Sequence, residues 1–543
     1  MHFRLAVLAT ALLLSVSPPP AQAQRVLGPG EDAWTLPSGI IRIGLDTRFL
    51  GASEMFTASG RGPLAAGLSG VLGTSSLSLL QGLETTIRSL SGETAFSVAL
   101  GTGRGNFRQS RALIPLEIAI GMSSNVTLRV SVPFHTGEFE AQWLLDTTGA
   151  TVGINPEQLA AGPTLLNSAL VSNLDTAAAQ LERLADGCEV NALSDPRCTL
   201  VLAEIAQVRA LVTQSRTVTD GIASTYGGRT STPSSLFVPR AGTAAQTGVA
   251  GQIETLRTGY ERYGTTSVAS GAQPVAASAP PTITELRALL ADSAYGYALA
   301  PISRRYAQGF GDVDVGMMVQ LYNGFAKRDP WGRDSSGSVA LRQSVGLTYR
   351  FGTGSGVDPD DPFRIPTGDG QNDVEITSLT DIITGRHAWT TIVARFTAQY
   401  ALDGIARIPD ASGSRLVPLA RRRQARTELG NRLEIAVAPR WVLNDYLSFG
   451  GRWRWVRQDG FKVTELPPFA GTAAMAYEGP TLTAHEGAVG FSWSSVGAWH
   501  RGKARWPIEI HWTRSLVIDG SAGVERVISD QVSLRAYARL WGK

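Results

Sequence analysis

The chain has 543 residues, a formal net charge of +3 and 43% hydrophobic residues. A charge so close to neutral gives no indication of nucleic acid or of an anionic surface as a partner. After the N-terminus, no apolar run reaches the roughly 20 residues that a membrane-spanning helix needs.

The first 23 residues have the three parts of a secretory signal peptide. A positive charge at Arg4 precedes an apolar stretch from Leu5 to Val16, and Ala21-Gln22-Ala23 fits the small-residue cleavage rule. The apolar stretch is too short for a membrane anchor. We therefore expect an exported protein whose residues 1–23 are removed.

Segments of alternating apolar and polar residues follow along most of the chain. Period-two alternation marks a strand with one apolar and one wet face. In an exported chain without spanning helices, such repeats predict an outer-membrane barrel. The fold class expected is all-β, a transmembrane antiparallel β-barrel of roughly 12–14 strands with a large α-helical insertion. The segments are residues 40–50, 95–100, 114–120, 126–134, 313–321, 341–351, 389–400, 433–441, 447–455, 485–495, 506–512, 516–527 and 532–540.

Three short polar stretches between these segments are expected to be turns. They are residues 123–125, 444–446 and 529–531, each placed between apolar strand ends. Ser, Asn and Asp favour turns because their side chains bond the nearby backbone.

The spacing of apolar residues becomes helical between residues 146 and 305. Leu170, Leu174 and Leu181 define one amphipathic helix, residues 200–211 a second, and Ile283 to Asp292 a third. Residues 221–280, rich in small residues and Pro, are expected to be flexible connections. This insertion separates barrel strands in residues 24–145, which include a Gly/Ser-rich loop, from those in residues 306–543.

Cys188 and Cys198 are the chain's two cysteines and lie between the first two helices. An exported protein favours a disulfide there. On the chain-entropy model, so short a loop adds about 2–3 kcal/mol. No His or third Cys accompanies the pair, so a metal site is not expected.

Charged residues occupy the polar face of the predicted strands. In a barrel this face lines the lumen, where mixed charges can pair or tune passage. Barrels of this size are found both open and plugged, and the pattern does not choose between them. The residues predicted to line the lumen are Arg42, Asp46, Arg48, Glu117, Arg129, Asp312, Asp314, Arg342, Arg350, Arg395, Arg432, Glu434 and Arg440.

Other candidate sites have simpler explanations. Gly101–Gly105 and Gly352–Gly356 resemble phosphate loops but lack Lys-Ser/Thr in the required place, so we interpret them as turns. The Asp-rich stretch of residues 358–373 could offer oxygen ligands to calcium, but its spacing does not match a calcium loop. No Ser nucleophile elbow accompanies the histidines. We expect no enzyme activity, no catalytic residues, no cofactor and no metal.

Three motifs resemble a family of outer-membrane proteins named for the meta-pathway of phenol degradation. GMSSNVTLRVSVPF resembles a hairpin of that family, GFGDVDVGMMVQL one of its strands, and RIPTGDGQNDVEI its PTG signature. The resemblance covers residues 112–134 and 309–543. The residues that carry the last two motifs are Gly309, Gly311, Asp312, Gly316, Pro366, Thr367 and Gly368.

The resemblance implies a barrel of the broad class that includes fatty-acid-transport porins, in the outer membrane of a Gram-negative-type bacterium. The expected function is passive transport of a small hydrophobic or aromatic solute. The alternative is a non-transporting surface barrel whose helical insertion binds a partner. The partners expected are outer-membrane lipid and the solute, and no nucleic acid.

Overall fold

The computed structural model describes residues 32–159, 165–193, 195–324, 339–384, 388–410, 416–444, 446–466, 474–500 and 502–541. The predicted signal peptide lies outside these ranges. The described residues form two compact units. The barrel unit contains residues up to 67, residues 105–143 and residues from 297 onward, and the helical unit contains residues 68–104 and 144–296.

Twelve long strands, all antiparallel, close into a barrel. Each pairs with its neighbours in the chain, and the last pairs with the first, from Ile40 opposite Arg539 to Gly51 opposite Ile528. The predicted fold class is confirmed, at the lower strand number. The strands are β1 Ile40–Ala52, β2 Thr102–Gly121, β3 Val126–Asp146, β4 Val313–Asn323, β5 Val339–Phe351, β6 Asp373–Thr384, β7 Ala388–Gln399, β8 Arg432–Val442, β9 Leu447–Gln458, β10 Leu482–Ser494, β11 Ile508–Gly520 and β12 Ile528–Arg539.

Side chains alternate between the two faces of the closed sheet. In β5, Tyr349 and Phe351 are exposed on the outside, whereas Arg350 between them is buried. In β1, Ile43 and Leu45 are likewise exposed outside. The barrel therefore has an apolar exterior and a charged interior.

The two ends of the barrel differ. β1 begins and β12 ends at the end where short turns join β2 to β3 and β8 to β9, which we call the turn end. At the opposite end, the loop end, longer connections follow β5, β7 and β9.

Three local predictions are wrong. Residues 506–512 and 516–527 are not two strands; β11 runs from one into the other as a single strand, and residues 521–527 connect it to β12. Residues 529–531 do not form a turn but lie within β12, paired with both β11 and β1. Ser529 and Gln531 point into the buried interior there, so tertiary pairing overrides their turn preference. Residues 95–100 form no strand; in an irregular segment, Leu100 N donates to Leu72 O and Leu72 N donates to Gly101 O.

Shorter elements complete the barrel unit. They are a hairpin of Glu54–Thr57 and Gly60–Pro63, the strand Arg305–Phe310 paired with β3, and a four-stranded sheet of Leu402–Arg407, Arg422–Glu428, Lys462–Glu465 and Ala476–Glu478. Ile408, Ala425, Phe461 and Val463 form a small core on that sheet.

Most helices of the helical unit pack around one apolar core that includes Leu174, Leu181, Val208, Ile222 and Leu256. Two short strand pairs also belong to it, Val152–Ile154 with Phe237–Pro239 and Gly70–Val71 with the start of β2. No described helix is both long and apolar enough to cross a membrane. The α-helices of the helical unit are α1 Leu80–Ser91, α2 Pro156–Leu159, α3 Ser168–Val190, α4 Cys198–Ala203, α5 Ile205–Tyr226, α6 Ala244–Arg262 and α7 Ile283–Ala291. The helix α8, Val496–His500, belongs to the barrel unit.

The prediction that residues 221–280 are flexible connections is wrong, because they contain α6. Val249, Ile253 and Leu256 recur at helical spacing and are fully buried. The Thr243 side chain accepts a hydrogen bond from Gln246 N and caps the first turn. The Ala, Gly and Thr residues between these positions obscure the stripe in the sequence.

Cys188 and Cys198 form a disulfide that joins the end of α3 to the start of α4. Replacing both with Ser should lower the stability of the helical unit by about 2–3 kcal/mol, because the unfolded chain gains loop freedom. Urea unfolding followed by helical circular dichroism measures the shift. Thr199→Ser, an exposed neighbour, is the control. An unchanged midpoint in the double variant would contradict the expectation.

Candidate functional site in the barrel interior

The structure places all thirteen residues predicted to line the lumen inside the barrel unit. Twelve lie on inward positions of β1–β5, β7 and β8, and Asp312 immediately precedes β4. Nine of them are buried, and Arg42, Glu117, Arg129 and Arg440 are nearly so, with 13–18% of the side chain exposed. Their role in passage stays a prediction.

Two glutamates organise the charges in the middle of the interior. Glu434 accepts hydrogen bonds from Arg395 and Arg432, each at 3.0 Å, and lies 3.5 Å from Arg454. Glu486 binds Arg452 and Arg454. All of these side chains are buried, so water has little access at this level. Loss of one partner would leave a buried charge uncompensated, which is strongly destabilising.

Residues 32–39, which we call the luminal segment, cross the interior at the turn end. Ala33 N donates to Asp381 Oδ2 on β6 at 3.0 Å, and Ala33 O accepts from Gln320 Nε2 on β4 at 3.1 Å. Leu36 N donates to Thr127 Oγ1 on β3 at 2.8 Å. Ala33 is fully buried. The segment therefore occupies the interior where it contacts several strands.

A cavity of about 70 Å³ lies beside the luminal segment. Arg440 stacks 4.0 Å above the Trp389 ring on one wall. Glu509 accepts hydrogen bonds from Tyr537 Oη at 2.6 Å and Ser494 Oγ at 3.0 Å. At about 10–15 Å³ for one water, the cavity has room for a few waters or one small molecule.

At the loop end, Asp312 holds together two stretches of the connection between β5 and β6. Its Oδ1 accepts a hydrogen bond from Gly354 N at 2.8 Å, and its Oδ2 accepts one from Asp369 N at 2.9 Å. Ser355 O also accepts from Thr367 N at 3.0 Å. We call this arrangement the Asp312 clasp.

The clasp explains several of the family-like motif residues. A Cβ at Gly368 would lie 2.4 Å from Asp312 Oδ1, and one at Gly354 would lie 2.6 Å from Gly368 Cα. Gly311 O accepts a hydrogen bond from Thr353 Oγ1 at 2.9 Å. The two motifs, distant in sequence, thus meet in one backbone crossing. Gly309 lies beside Thr367 and Pro366 is buried nearby, whereas Gly316 is apart from the clasp, against Thr348 on β5.

The connection of residues 352–372 continues inward from the clasp. Phe363 stacks on Phe139 with ring centroids 5.3 Å apart, and Phe139 stacks on Phe107 at 6.0 Å. A Cβ at Gly137 would lie 3.0 Å from Ile365 Cδ1. The connection is therefore packed on the inward face of β2 and β3.

Four aspartates surround Arg350 beneath the clasp. Arg350 bonds Asp314 at 2.9 Å and Asp373 at 3.3 Å. Asp369 Oδ1 accepts from Gln371 N at 2.8 Å. Burial, together with the charges of Asp373 and Asp312, raises the pKa of the Asp369 carboxyl to about 8. Burial also raises the pKa of Asp312.

The other aspartates of the connection bind arginines. Asp360 accepts hydrogen bonds from Arg407 and Arg422, and Asp361 accepts one from Arg305. Within the described ranges, no group of three or more His, Cys, Asp or Glu residues is arranged to hold a metal ion.

Sequence reasoning missed several charged residues of the interior and the luminal segment. Arg452 and Arg454 alternate with Trp453 and Trp455, so the period that identified the other inward charges was present in β9 as well. Asp381, Glu486, Glu509, His511 and Arg535 were also overlooked. The luminal segment carries no periodic signal, because it is irregular chain.

The comparisons with known proteins give structural likeness only. No protein-family model and no curated protein matches the sequence. Similar solved structures include the COG4313 outer membrane channel from Pseudomonas putida F1, with 6% identity and a TM-score of 0.38 over 93% of this chain and 98% of that one. The P. putida toluene transporter TodX has 9% identity and a TM-score of 0.24 over 92% of this chain and 89% of that one. The Ralstonia pickettii toluene transporter TbuX has 8% identity and a TM-score of 0.22 over 95% of this chain and 92% of that one. At such values these likenesses establish no shared family or solute.

Asp312→Ala should release the connection at the loop end. The variant leaves the Gly354 and Asp369 N–H groups without their acceptors, at about 1–3 kcal/mol for the buried Asp369 N–H and less for the half-buried Gly354 N–H. Trypsin cleavage after Arg364, which is exposed within the connection, should become at least several-fold faster. Asp403→Ala, which removes an exposed ion pair with Arg426, is the matched control. Equal cleavage rates in the two variants would refute the clasp.

The docking of this connection should weaken as the pH rises. The pKa of Asp369 is higher in the folded state, about 8, than in an exposed carboxyl. The folded state therefore binds more protons, and its stabilisation, complete at low pH, is lost as pH rises through about 8. Trypsin cleavage, normalised to a peptide substrate, should accelerate as the pH rises from about 6 to 8 and level off above about 8. Asp369→Asn should flatten this profile, and an unchanged profile would contradict the assignment.

Proposed function

We propose that the protein is an outer-membrane channel that lets a small solute pass passively through the barrel unit. The observation that carries this proposal is the closed sheet of twelve strands with an apolar exterior and charged interior. A closed barrel satisfies its own backbone hydrogen bonds, and an apolar outer band suits lipid. A soluble barrel would gain nothing from leaving Ile376 and Phe449 about half exposed.

The solute that we propose is small and hydrophobic or aromatic. The stack of Phe107, Phe139 and Phe363 supports it, because these rings form an apolar wall within an interior that also holds many charges. All three rings are buried, and Phe363, which belongs to the connection of residues 352–372, stacks on Phe139. The solute would therefore reach Phe139 and Phe107 on the wall only when that connection, with Phe363, moves away.

Two parts of the chain would have to move in a conducting state. The luminal segment fills the interior at the turn end, and the connection of residues 352–372 packs on the inner wall at the loop end. We infer that the described conformation is closed. Opening at either end costs the hydrogen bonds that hold these parts.

Liposome swelling with small neutral solutes tests the proposal. Purified protein should increase the swelling rate, and fractionation should place it in the outer membrane. Swelling indistinguishable from empty liposomes, for aromatic and aliphatic solutes alike, would refute transport. A periplasmic location would refute the membrane assignment itself.

Loosening the luminal segment should raise the open fraction. Gln320→Ala with Ser344→Ala removes two donors to Ala33 O. At about 0.5–1.5 kcal/mol for each hydrogen bond, openings in planar-bilayer recordings should be about tenfold more frequent. Ser378→Ala, on the outward face of β6, is the control. An unchanged opening frequency would show that the luminal segment does not limit conduction.

A second function is supported by the helical unit, which has its own core and disulfide. We propose partner binding by this unit as the alternative to transport. Deleting residues 150–300 separates the two. Lost binding to host or bacterial surfaces with unchanged swelling would favour the alternative, and changed swelling alone would favour transport.

A further inference from the structure

An ion pair lies on the outward face of the barrel unit, where the neighbouring side chains are apolar. Arg514 on β11 is directly opposite Asp530 on β12, with Arg514 Nη1 3.6 Å from Asp530 Oδ2. The Arg514 side chain is 54% exposed and that of Asp530 is 15% exposed. Asp530 faces outward because its neighbours Ser529 and Gln531 point inward.

Apolar side chains surround this pair on every side. Trp512 and Leu516 precede and follow Arg514 on the same face of β11, and Ile528 and Val532 do so for Asp530 on β12. Across the sheet, Val489 on β10 pairs with Arg514, and Phe49 on β1 pairs with Asp530. The charges therefore lie within the apolar belt and not at its edge.

Lipid tails do not solvate the charges of Arg514 and Asp530. An arginine on the lipid face of a barrel costs about 2–4 kcal/mol at the midplane and less towards the interfaces. The pair carries no net charge, so it offers little attraction to a lipid phosphate. A protein surface that supplies a second carboxylate to the half-exposed guanidinium would satisfy it better.

We propose that this face, centred on Arg514 and Asp530, is the contact between two copies of the chain in the membrane. The proposal rests on the outer-membrane location proposed above. A two-fold axis passing between the two residues would bring Arg514 to Asp530 of the partner subunit and Asp530 to the other guanidinium, so the patch is self-complementary. Trp512, Phe491 and Phe49 around it are residue types enriched in interface centres.

Two single variants test the contact. Arg514→Asp places two carboxylates on the patch, and Asp530→Arg places two guanidinium groups there. Each variant should lose self-association about tenfold or more, because like charges then meet across the axis. Co-expressed with different affinity tags, the two variants should associate with each other as well as wild type does. Arg457→Asp, a change at an exposed arginine of β9, is the matched control.

The mixed pair distinguishes this contact from a structural role for the ion pair within one barrel. Each single variant loses the internal pair in its own chain, so only contact between chains can restore association on mixing. The heat-dependent gel mobility of each variant reports whether its barrel is folded. Association of the folded single variants at the wild-type level, or failure of the mixed pair to associate, would overturn the proposal.

A cysteine crosslink gives a second readout. The natural cysteines are joined to each other, so an introduced thiol is the only free one. Val532→Cys, next to the pair, should form a disulfide-linked dimer on mild oxidation, whereas Val437→Cys, on the outward face of β8, should not. Equal crosslinking of both, or of neither, would overturn the dimer. Fractionation of the same cells shows separately whether the chain is in the outer membrane.

Discussion

The pairing of β12 with β1 is the contact on which the rest of the barrel unit depends. An open sheet would leave two rows of backbone N–H and C=O groups unpaired, and in lipid each such group costs several kcal/mol. Closure also creates the interior in which more than a dozen charged side chains are buried. These charges are tolerable only because the closed wall holds carboxylates and guanidinium groups in bonding positions, as at Glu434 and Glu486.

The second consequence of closure is that irregular chain can pack inside. The luminal segment and the connection of residues 352–372 have no strand partners, yet both bury backbone groups. They do so through side chains of the wall, Asp381 and Thr127 at one end and Asp312 at the other. The interior is thus organised by side-chain acceptors that bind backbone N–H groups, together with the ion pairs between them.

The barrel could be predicted from the sequence because alternation is a local signal that every strand carries separately. The same period predicts Arg350 inside and Tyr349 outside, where the structure has them. What alternation cannot show is which irregular segments enter the interior, since Ala33 meets Asp381 only after the whole sheet has formed. In the sequence, the clasp is indicated only by the glycines and the aspartate of the family-like motifs. The backbone crossing itself depends on two stretches that are more than 40 residues apart. Helix α6 was missed for the opposite reason, since its small residues suggested a linker although its buried stripe was regular.

The position of the luminal segment has a consequence for assembly. It is followed directly by β1, yet the side chains of the wall that bind its backbone lie 91 to 348 residues later in the chain. Contacts of such sequence separation form late, because long loops must close first. The segment can reach its final place only after β3, β4 and β6 have formed. At that stage β1, which directly follows the segment, is still without its pairing to β12. During insertion, therefore, the interior is still accessible, and the last steps of folding are also the steps that fill it.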